Sequence, residues 1–160
     1  MKSIIILSLL ICLATASAAK ANDLYLSITL TESEHSRDSS STRTMITLKG
    51  NKIVYEETYT GSRAGAREPA HKEQTLTAQE MVKLKRFIVE KNLLRSGSLR
   101  YPPGNAPYRY YDLTLKIRWR GRRSFIKVAG PVKSDKMKNS RLYQGSNSLL
   151  DYLMALINNG

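Results

Sequence analysis

The segment from Tyr111 to Ala129, YDLTLKIRWRGRRSFIKVA, decides the fold. Apolar residues occupy the odd positions before Gly121, and polar or basic residues occupy the even ones. Alternation with a period of two on both sides of a glycine turn is typical of a β-hairpin with one buried face. A short turn places odd positions before Gly121 opposite even positions after it. The buried face is therefore predicted to hold Leu115, Ile117, Ser124, Ile126 and Val128.

The opposite face of this hairpin is predicted to be basic, with one aromatic ring among the cations. Its members are Lys116, Arg118, Arg123, Phe125 and Lys127. Such a face can hold phosphate or carboxylate groups through charge-assisted and bidentate hydrogen bonds. The alternative is a solvated sheet face, or a charged edge that prevents pairing with other strands. We predict that these five residues form a binding surface.

A second candidate surface consists of tyrosines interleaved with arginines around a proline-rich stretch. The tyrosines are Tyr101, Tyr108 and Tyr110, and the stretch from Arg95 to Arg109 is predicted to be a long irregular loop. Tyrosine and arginine are enriched at binding surfaces because they bury area and still form hydrogen bonds. The alternative is that the tyrosines only begin a strand and pack the loop down. The sequence is compatible both with a binding surface and with packing of the loop.

The rest of the chain predicts further strands and two helices. Residues 24–30 alternate as a strand, and Gly50-Asn51 is typical of a hairpin turn. The segment Glu32 to Ser41 is serine-rich and is predicted to be a mobile loop. Thr77-Ala78-Gln79-Glu80 is a capping box that predicts a helix from about Ala78 to Lys91. A leucine-rich helix behind a Ser148 cap ends the chain.

This order of strand, hairpin, helix, hairpin, helix predicts an α+β fold. We expect an antiparallel sheet of about five strands, with two helices packed on one face. After removal of a leader, residues 20–160 are expected to form a single domain, since a chain of this length buries enough surface for one core.

Residues 1–19 have the layout of a secretory signal peptide. Lys2 supplies the positive charge, an apolar run follows, and small residues lead to a cleavage site near Ala18 or Ala19. Cys12 is the only cysteine and lies inside this leader, so the mature chain would contain no disulfide. An exported domain without disulfides favours a bacterial periplasmic or secreted location. No later apolar run is long enough to span a membrane.

The net charge of +13 is unevenly distributed along the sequence. Residues 20–75 contain 8 basic and 8 acidic side chains, whereas residues 76–160 contain 17 basic and 5 acidic ones. A field of this sign attracts acidic partners and weakens with salt. We expect the partner to be an acidic protein or an anionic envelope component. Nucleic acid is not expected in the predicted compartment.

No catalytic signature is present in the sequence. A nucleophile elbow, a phosphate loop, a zinc-protease helix and a cysteine nucleophile in the mature chain are all missing. We name no catalytic residue, no cofactor and no metal site. His35 and His71 each have carboxylates nearby in sequence, so a small periplasmic hydrolase or metal-dependent enzyme is the alternative function. Two surface histidines are the favoured interpretation.

Several motifs resemble those of small bacterial domains. They are Lys52-Ile53-Val54-Tyr55 after the Gly-Asn turn, Leu76-Thr77-Ala78-Gln79-Glu80 at a helix start, and Tyr111-Asp112-Leu113-Thr114-Leu115 before a glycine turn and a leucine-rich helix. From Met45 to Ile157 the pattern is similar to emfourin-like inhibitors of thermolysin-type metalloproteases. The resemblance implies a binder without catalysis, although the leader and the serine-rich and proline-rich segments depart from it. The sequence thus predicts an exported, non-enzymatic binding module with a basic face.

Overall fold

The computed structural model describes residues 24–35, 39–61, 64–65, 67–103 and 108–159. The strands are β1 (Tyr25–His35), β2 (Ser40–Lys49), β3 (Lys52–Gly61), β4 (Ala70–Thr75), β5 (Gly97–Arg100), β6 (Tyr108–Trp119) and β7 (Arg122–Pro131). The helices are α1 (Ala78–Glu90), the short α2 (Asp135–Lys138) and α3 (Arg141–Asn159). The predicted signal peptide lies outside the described residues. No helix in the described ranges is long and apolar enough to cross a membrane.

The strands form one seven-stranded mixed sheet in the order β4-β3-β2-β1-β6-β7-β5. All neighbouring pairs are antiparallel except β5 and β7, which run parallel. The prediction of an antiparallel sheet of about five strands with two helices was therefore wrong in strand number, in strand direction and in helix number. The sheet is larger, and β1 occupies its middle.

The two additional strands lie at the sheet edges and lack the alternation that reveals a strand in a sequence. The β4 segment, AHKEQT, has only the small Ala70 as an inward apolar residue and forms a strand because its backbone pairs with β3. The four residues of β5 fall inside the predicted loop and join the sheet through parallel pairing with β7. Edge strands bury little side-chain area, so pairing partners rather than hydrophobic pattern define them.

Both predicted hairpins are confirmed, whereas two boundaries are corrected. The turns at Gly50-Asn51 and Arg120-Gly121 connect paired strands. Most of the serine-rich segment is strand, because β1 continues to His35 and β2 begins at Ser40, while residues 36–38 lie outside the described ranges. Helix α3 begins at Arg141, and the Ser140 Oγ accepts a hydrogen bond from the Tyr143 N–H at 3.2 Å. Ser148 therefore lies inside the helix and is not its cap.

The core lies between one face of the sheet and the two longer helices. Leu26, Ile28, Leu48, Leu113, Leu115, Ile126 and Val128 are buried on the sheet side. They pack with Leu84 and Ile88 of α1 and with Leu149, Leu153 and Ile157 of α3. The capping box of α1 is formed as predicted, since Thr77 Oγ1 accepts from the Glu80 N–H and Glu80 accepts from the Thr77 N–H. The helices cover one face, and no described residue covers the other, which we call the open face.

Candidate functional site

A basic groove lies on the open face of the sheet, at the end where β1 begins and β6 ends. It has a volume of about 810 Å³. We call it the cationic groove and define it by Tyr25, Lys49, Lys116, Arg118, Arg123 and Phe125. Four of these six residues, namely Lys116, Arg118, Arg123 and Phe125, belong to the basic face predicted from the sequence. Ser96, which precedes β5, completes its rim.

The strand register brings the groove residues together from four different strands. Tyr25 of β1 lies opposite Lys49 of β2 on one side and opposite Arg118 of β6 on the other. Arg118 in turn faces Arg123 of β7. Lys116 and Phe125 form the next cross-strand pair. Because directly opposed residues in antiparallel strands have Cβ atoms about 5 Å apart, the cations of this end are concentrated in one small area.

The aromatic groups of the groove are held in defined positions. The Arg118 guanidinium lies 5.5 Å from the centre of the Tyr25 ring, which is a cation–π contact. The side chain of Phe125 is 46% exposed, which is high for a large apolar residue. The Phe125 N–H donates to the Ser96 Oγ at 2.9 Å, so the backbone of β7 is fixed at this point.

The groove cations have no acidic partner in the part of the chain that the structure describes. No carboxylate there lies within ion-pair distance of Lys49, Lys116, Arg118 or Arg123. Like charges held this close repel one another, and an anion placed between them would relieve that repulsion. Charge-assisted hydrogen bonds from two arginines and two lysines would add to the binding of such an anion.

Lys127 belongs to the predicted basic face but has an acidic partner and lies outside the cationic groove. It is two residues beyond Phe125 on β7, and its Nζ lies 3.5 Å from the Asp112 Oδ2. This ion pair offsets part of its charge, and Lys127 does not line the groove.

The predicted tyrosines are not brought to the cationic groove. Tyr108 and Tyr110 lie on the open face as well, but at the opposite end of β6. At 3.4 Å per residue, Tyr110 is about 27 Å from Arg118 along the strand. The Tyr108 ring stacks on His35 at 4.7 Å, and the Tyr110 hydroxyl donates to the Tyr101 backbone oxygen at 3.0 Å. These contacts connect β1 and the residue after β5 to β6, and Tyr108 also lines a separate cavity of about 270 Å³ at this end of the sheet.

Tyr25 and Lys49 are the groove residues that the sequence analysis missed. Tyr25 falls in the alternating segment 24–30 and Lys49 directly precedes the Gly50-Asn51 turn, but the sequence does not assign their strand neighbours. The signal that identifies them is the pairing of β1 with both β2 and β6, which places them beside Arg118. A sequence pattern defines the face to which a residue belongs but not the strand it lies beside.

The two histidines have different surroundings. His71 on β4 lies 3.7 Å from Glu56 and 3.6 Å from Glu73. A hydrogen bond from Lys52, whose Nζ is 2.6 Å from the Glu73 Oε2, holds the pKa of Glu73 below its usual value. His35 stacks on Tyr108 and its Nε2 lies 3.2 Å from the Ser33 Oγ. Within the described ranges, no three histidine, cysteine, aspartate or glutamate side chains are grouped closely enough to hold a metal ion.

Buried tyrosines strengthen the contact between the sheet and α3. Burial raises the pKa of Tyr111 far above its usual value, and the neighbouring Tyr143 and Glu32 raise it further. The Tyr111 hydroxyl donates a hydrogen bond to the Asn147 Oδ1 at 3.4 Å. Tyr111 holds α3 against β6 and lies on the covered side of the sheet, away from the cationic groove.

No protein-family model matches this chain, and no curated protein matches it. The resemblance to emfourin-like inhibitors therefore stands on the quoted sequence motifs alone.

Proposed function

We propose that the chain is an exported, non-enzymatic binding module whose cationic groove recognises an acidic protein or an anionic component of the bacterial envelope. The observation that carries this proposal is the convergence of Lys49, Lys116, Arg118 and Arg123 in one groove without an acidic partner among the described residues. A solvated face needs no such concentration of charge. Elsewhere on the same face a cation has an acidic partner, since the Lys52 Nζ lies 2.6 Å from the Glu73 Oε2.

Two features of the groove support selective binding over simple solubility. The arginine side chains have planar guanidinium groups that match carboxylate and phosphate oxygens in pairs. Phe125 and Tyr25 supply apolar surface beside these charges, which lowers the local dielectric constant and strengthens the attraction to an anion. The groove therefore combines positive charges that attract an anionic ligand with aromatic rings that the ligand can contact.

The first test measures binding of a fluorescent polyglutamate peptide by anisotropy at low and high salt. The test variant reverses the groove charges with Lys116→Glu, Arg118→Glu and Arg123→Glu. The matched control reverses three exposed cations outside the groove, with Lys83→Glu, Arg86→Glu and Lys136→Glu, so that both variants have the same net charge. Circular dichroism establishes that all three proteins are folded.

We expect the wild type and the control variant to bind the peptide and the groove variant to lose binding. We also expect the affinity to fall as salt is added, because screening weakens attraction between exposed charges. Equal weakening by both variants would show that only net charge matters and would overturn the assignment of the groove. Absence of binding by the wild type would overturn it as well.

The export part of the proposal depends on the predicted leader, residues 1–19. Expression of the full chain in a bacterium, followed by fractionation and mass measurement, tests it directly. We expect a periplasmic or secreted product that begins near residue 19 or 20. An intact cytoplasmic chain that still begins at Met1 or Lys2 would contradict export without affecting the groove.

The alternative of a hydrolase or metal-dependent enzyme based on His71 or His35 remains a prediction. No observation on the described residues favours it, because each histidine has a local partner and neither lies in the cationic groove.

A further inference from the structure

The open face of the sheet contains a strip of small hydroxyl side chains that leads away from the cationic groove. It follows β1, the central strand, whose outward residues after Tyr25 are Ser27, Thr29, Thr31 and Ser33. Thr47 lies beside Ser27, and Thr114 lies beside Thr29, so the strip widens onto both neighbouring strands. We call these six residues the hydroxyl strip.

Longer side chains border the hydroxyl strip on both sides. Lys49, Met45 and Arg43 lie on β2, and Lys116 and Asp112 lie on β6. The strip residues are half-buried although nothing covers this face among the described residues, as expected of short side chains between longer ones. The result is a shallow trough that opens into the cationic groove at Tyr25. From Ser27 to Ser33 it is about 20 Å long at 3.3 Å per residue.

The hydroxyl groups of the central part of the strip are available to a ligand. Among the described residues, the hydroxyls of Ser27, Thr29, Thr31, Thr47 and Thr114 have no side-chain or backbone hydrogen-bond partner. Each hydroxyl supplies one donor and two acceptor positions, and it rotates to suit its partner. A ligand that is itself rich in hydroxyl groups matches such a surface.

We propose that the ligand of the cationic groove is an acidic polysaccharide that lies along β1, with its carboxylate or phosphate groups in the groove and its sugar hydroxyls on the hydroxyl strip. This inference rests on the proposed function of the groove and names the chemistry of its ligand. Tyr25 and Phe125 stand where the chain enters the groove, and their rings provide apolar surface for the C–H faces of a sugar ring.

The composition of the face favours a polysaccharide over the other anionic ligands. The cores of protein–protein interfaces are enriched in aromatic residues and methionine and depleted in serine, and the centre of this face is rich in serine and threonine. A membrane surface would require several apolar side chains that insert between lipids. In the described ranges, Phe125 is the large apolar side chain most exposed on this face, whereas Met45, opposite Thr29, and Val54 are half-buried there.

The experiment compares the binding of three probes to the mature chain, residues 20–160. They are oligogalacturonates of increasing length, a neutral oligosaccharide of similar length, and polyglutamate of matched charge. The test variant is Thr29→Val with Thr114→Val, which removes two hydroxyls at nearly constant volume and retains strand propensity. The control is Thr58→Val, which removes an exposed hydroxyl on β3 outside the strip. The binding of the same probes to the groove variant with Lys116→Glu, Arg118→Glu and Arg123→Glu is measured as well.

We expect the wild type to bind oligogalacturonate more tightly than polyglutamate, with an affinity that rises with oligosaccharide length. Loss of two hydrogen bonds in the test variant should weaken oligogalacturonate binding by about tenfold and leave polyglutamate binding unchanged. Thr58→Val should change neither affinity.

Three other results would each overturn the inference. Equal affinity for both polyanions, unchanged in the strip variant, would overturn the polysaccharide assignment and leave the groove as a general anion site. Failure of the wild type to bind any of the anionic probes would overturn both the inference and the proposed function. Binding of the neutral oligosaccharide with no loss in the groove variant would also overturn the inference, because the groove charges would then play no part.

Discussion

The Arg118 guanidinium lies 5.5 Å from the centre of the Tyr25 ring, although the two residues are 93 positions apart in the sequence. The contact exists because β1 and β6 pair in a register that places Tyr25 opposite Arg118. It joins the first strand of the sheet to the basic hairpin, and it orients an arginine toward the groove. The pair thus contributes to stability and to the shape of the candidate site.

This contact predicts a measurable coupling between the two side chains. In a double-mutant cycle of Tyr25→Leu and Arg118→Gln, we expect a coupling free energy of about 0.5–1 kcal/mol in urea unfolding, as for exposed cation–π pairs. A parallel cycle with Arg123→Gln in place of Arg118→Gln is the control, since Arg123 has no ring contact with Tyr25. Additive effects in the first cycle would contradict the prediction.

The two lysines of the basic hairpin should contribute unequally to anion binding. Lys116 has no acidic partner among the described residues, whereas the Lys127 Nζ lies 3.5 Å from Asp112. We expect Lys116→Gln to raise the Kd for polyglutamate several-fold and Lys127→Gln to raise it less. Isothermal titration at low salt compares the two variants, which have the same net charge. An equal or larger effect of Lys127→Gln would show that the ion pair does not offset its charge.

The capping box of α1 predicts how stability depends on pH. Hydrogen bonds from the Thr77 backbone N–H and hydroxyl hold the pKa of Glu80 below its usual value. A carboxyl whose pKa is lower in the folded state stabilises that state above its unfolded pKa, and the contribution disappears as the pH falls through the folded pKa. The difference in unfolding free energy between wild type and Glu80→Gln should therefore shrink from about pH 7 to about pH 3. A difference that is constant over this range would contradict the prediction.

The turn of the basic hairpin stores backbone strain. Arg120 and Gly121 both have positive φ angles, 51° and 71°, as the two central residues of a type I′ turn do. Gly121→Ala should lower the free energy of unfolding by about 1–2 kcal/mol, because a Cβ is unfavourable in this region. Arg120→Asn should change it less, because asparagine adopts this conformation more easily but loses the cation–π contact of the Arg120 guanidinium with the Trp119 ring at 4.6 Å. Thermal unfolding measures both shifts, and a loss for Gly121→Ala no larger than that for Arg120→Asn would contradict the turn assignment.

Much of the central architecture could be predicted because its signals are local. The alternation in β6 and β7 identified both faces of the hairpin, and Thr77 with Glu80 identified the start of α1. The strand count was wrong because β4 and β5 are short edge strands that each pack a single apolar side chain against the core, Ala70 and Leu99, which is too few for a recognisable alternation. Both strands form through hydrogen bonds to their neighbours, β3 and β7, and their own sequences do not indicate which strands these neighbours are.

Part of the candidate site could also be predicted, because the signals for that part are local. Lys116, Arg118, Arg123 and Phe125 were found because they alternate with the core residues of one hairpin. Tyr25, Lys49 and the hydroxyl strip were missed because they join that hairpin only through the order of strands in the sheet. The tyrosines at the other end of β6 were grouped with the cations by their closeness in sequence, and the length of an extended strand separates them.

By itself, the sequence determined which side chains face the core, which residues begin α1, and that one hairpin is basic on its outer face. The periodicity of apolar residues and the helix caps involve residues only a few positions apart, so a short stretch of sequence is enough to identify them. Only the tertiary structure decided that β1 lies at the centre of seven strands, and that Tyr25 and Lys49 stand beside Arg118 to form a groove. Pairing between distant strands depends on the free energy of the whole packed sheet, and no single segment contains that information.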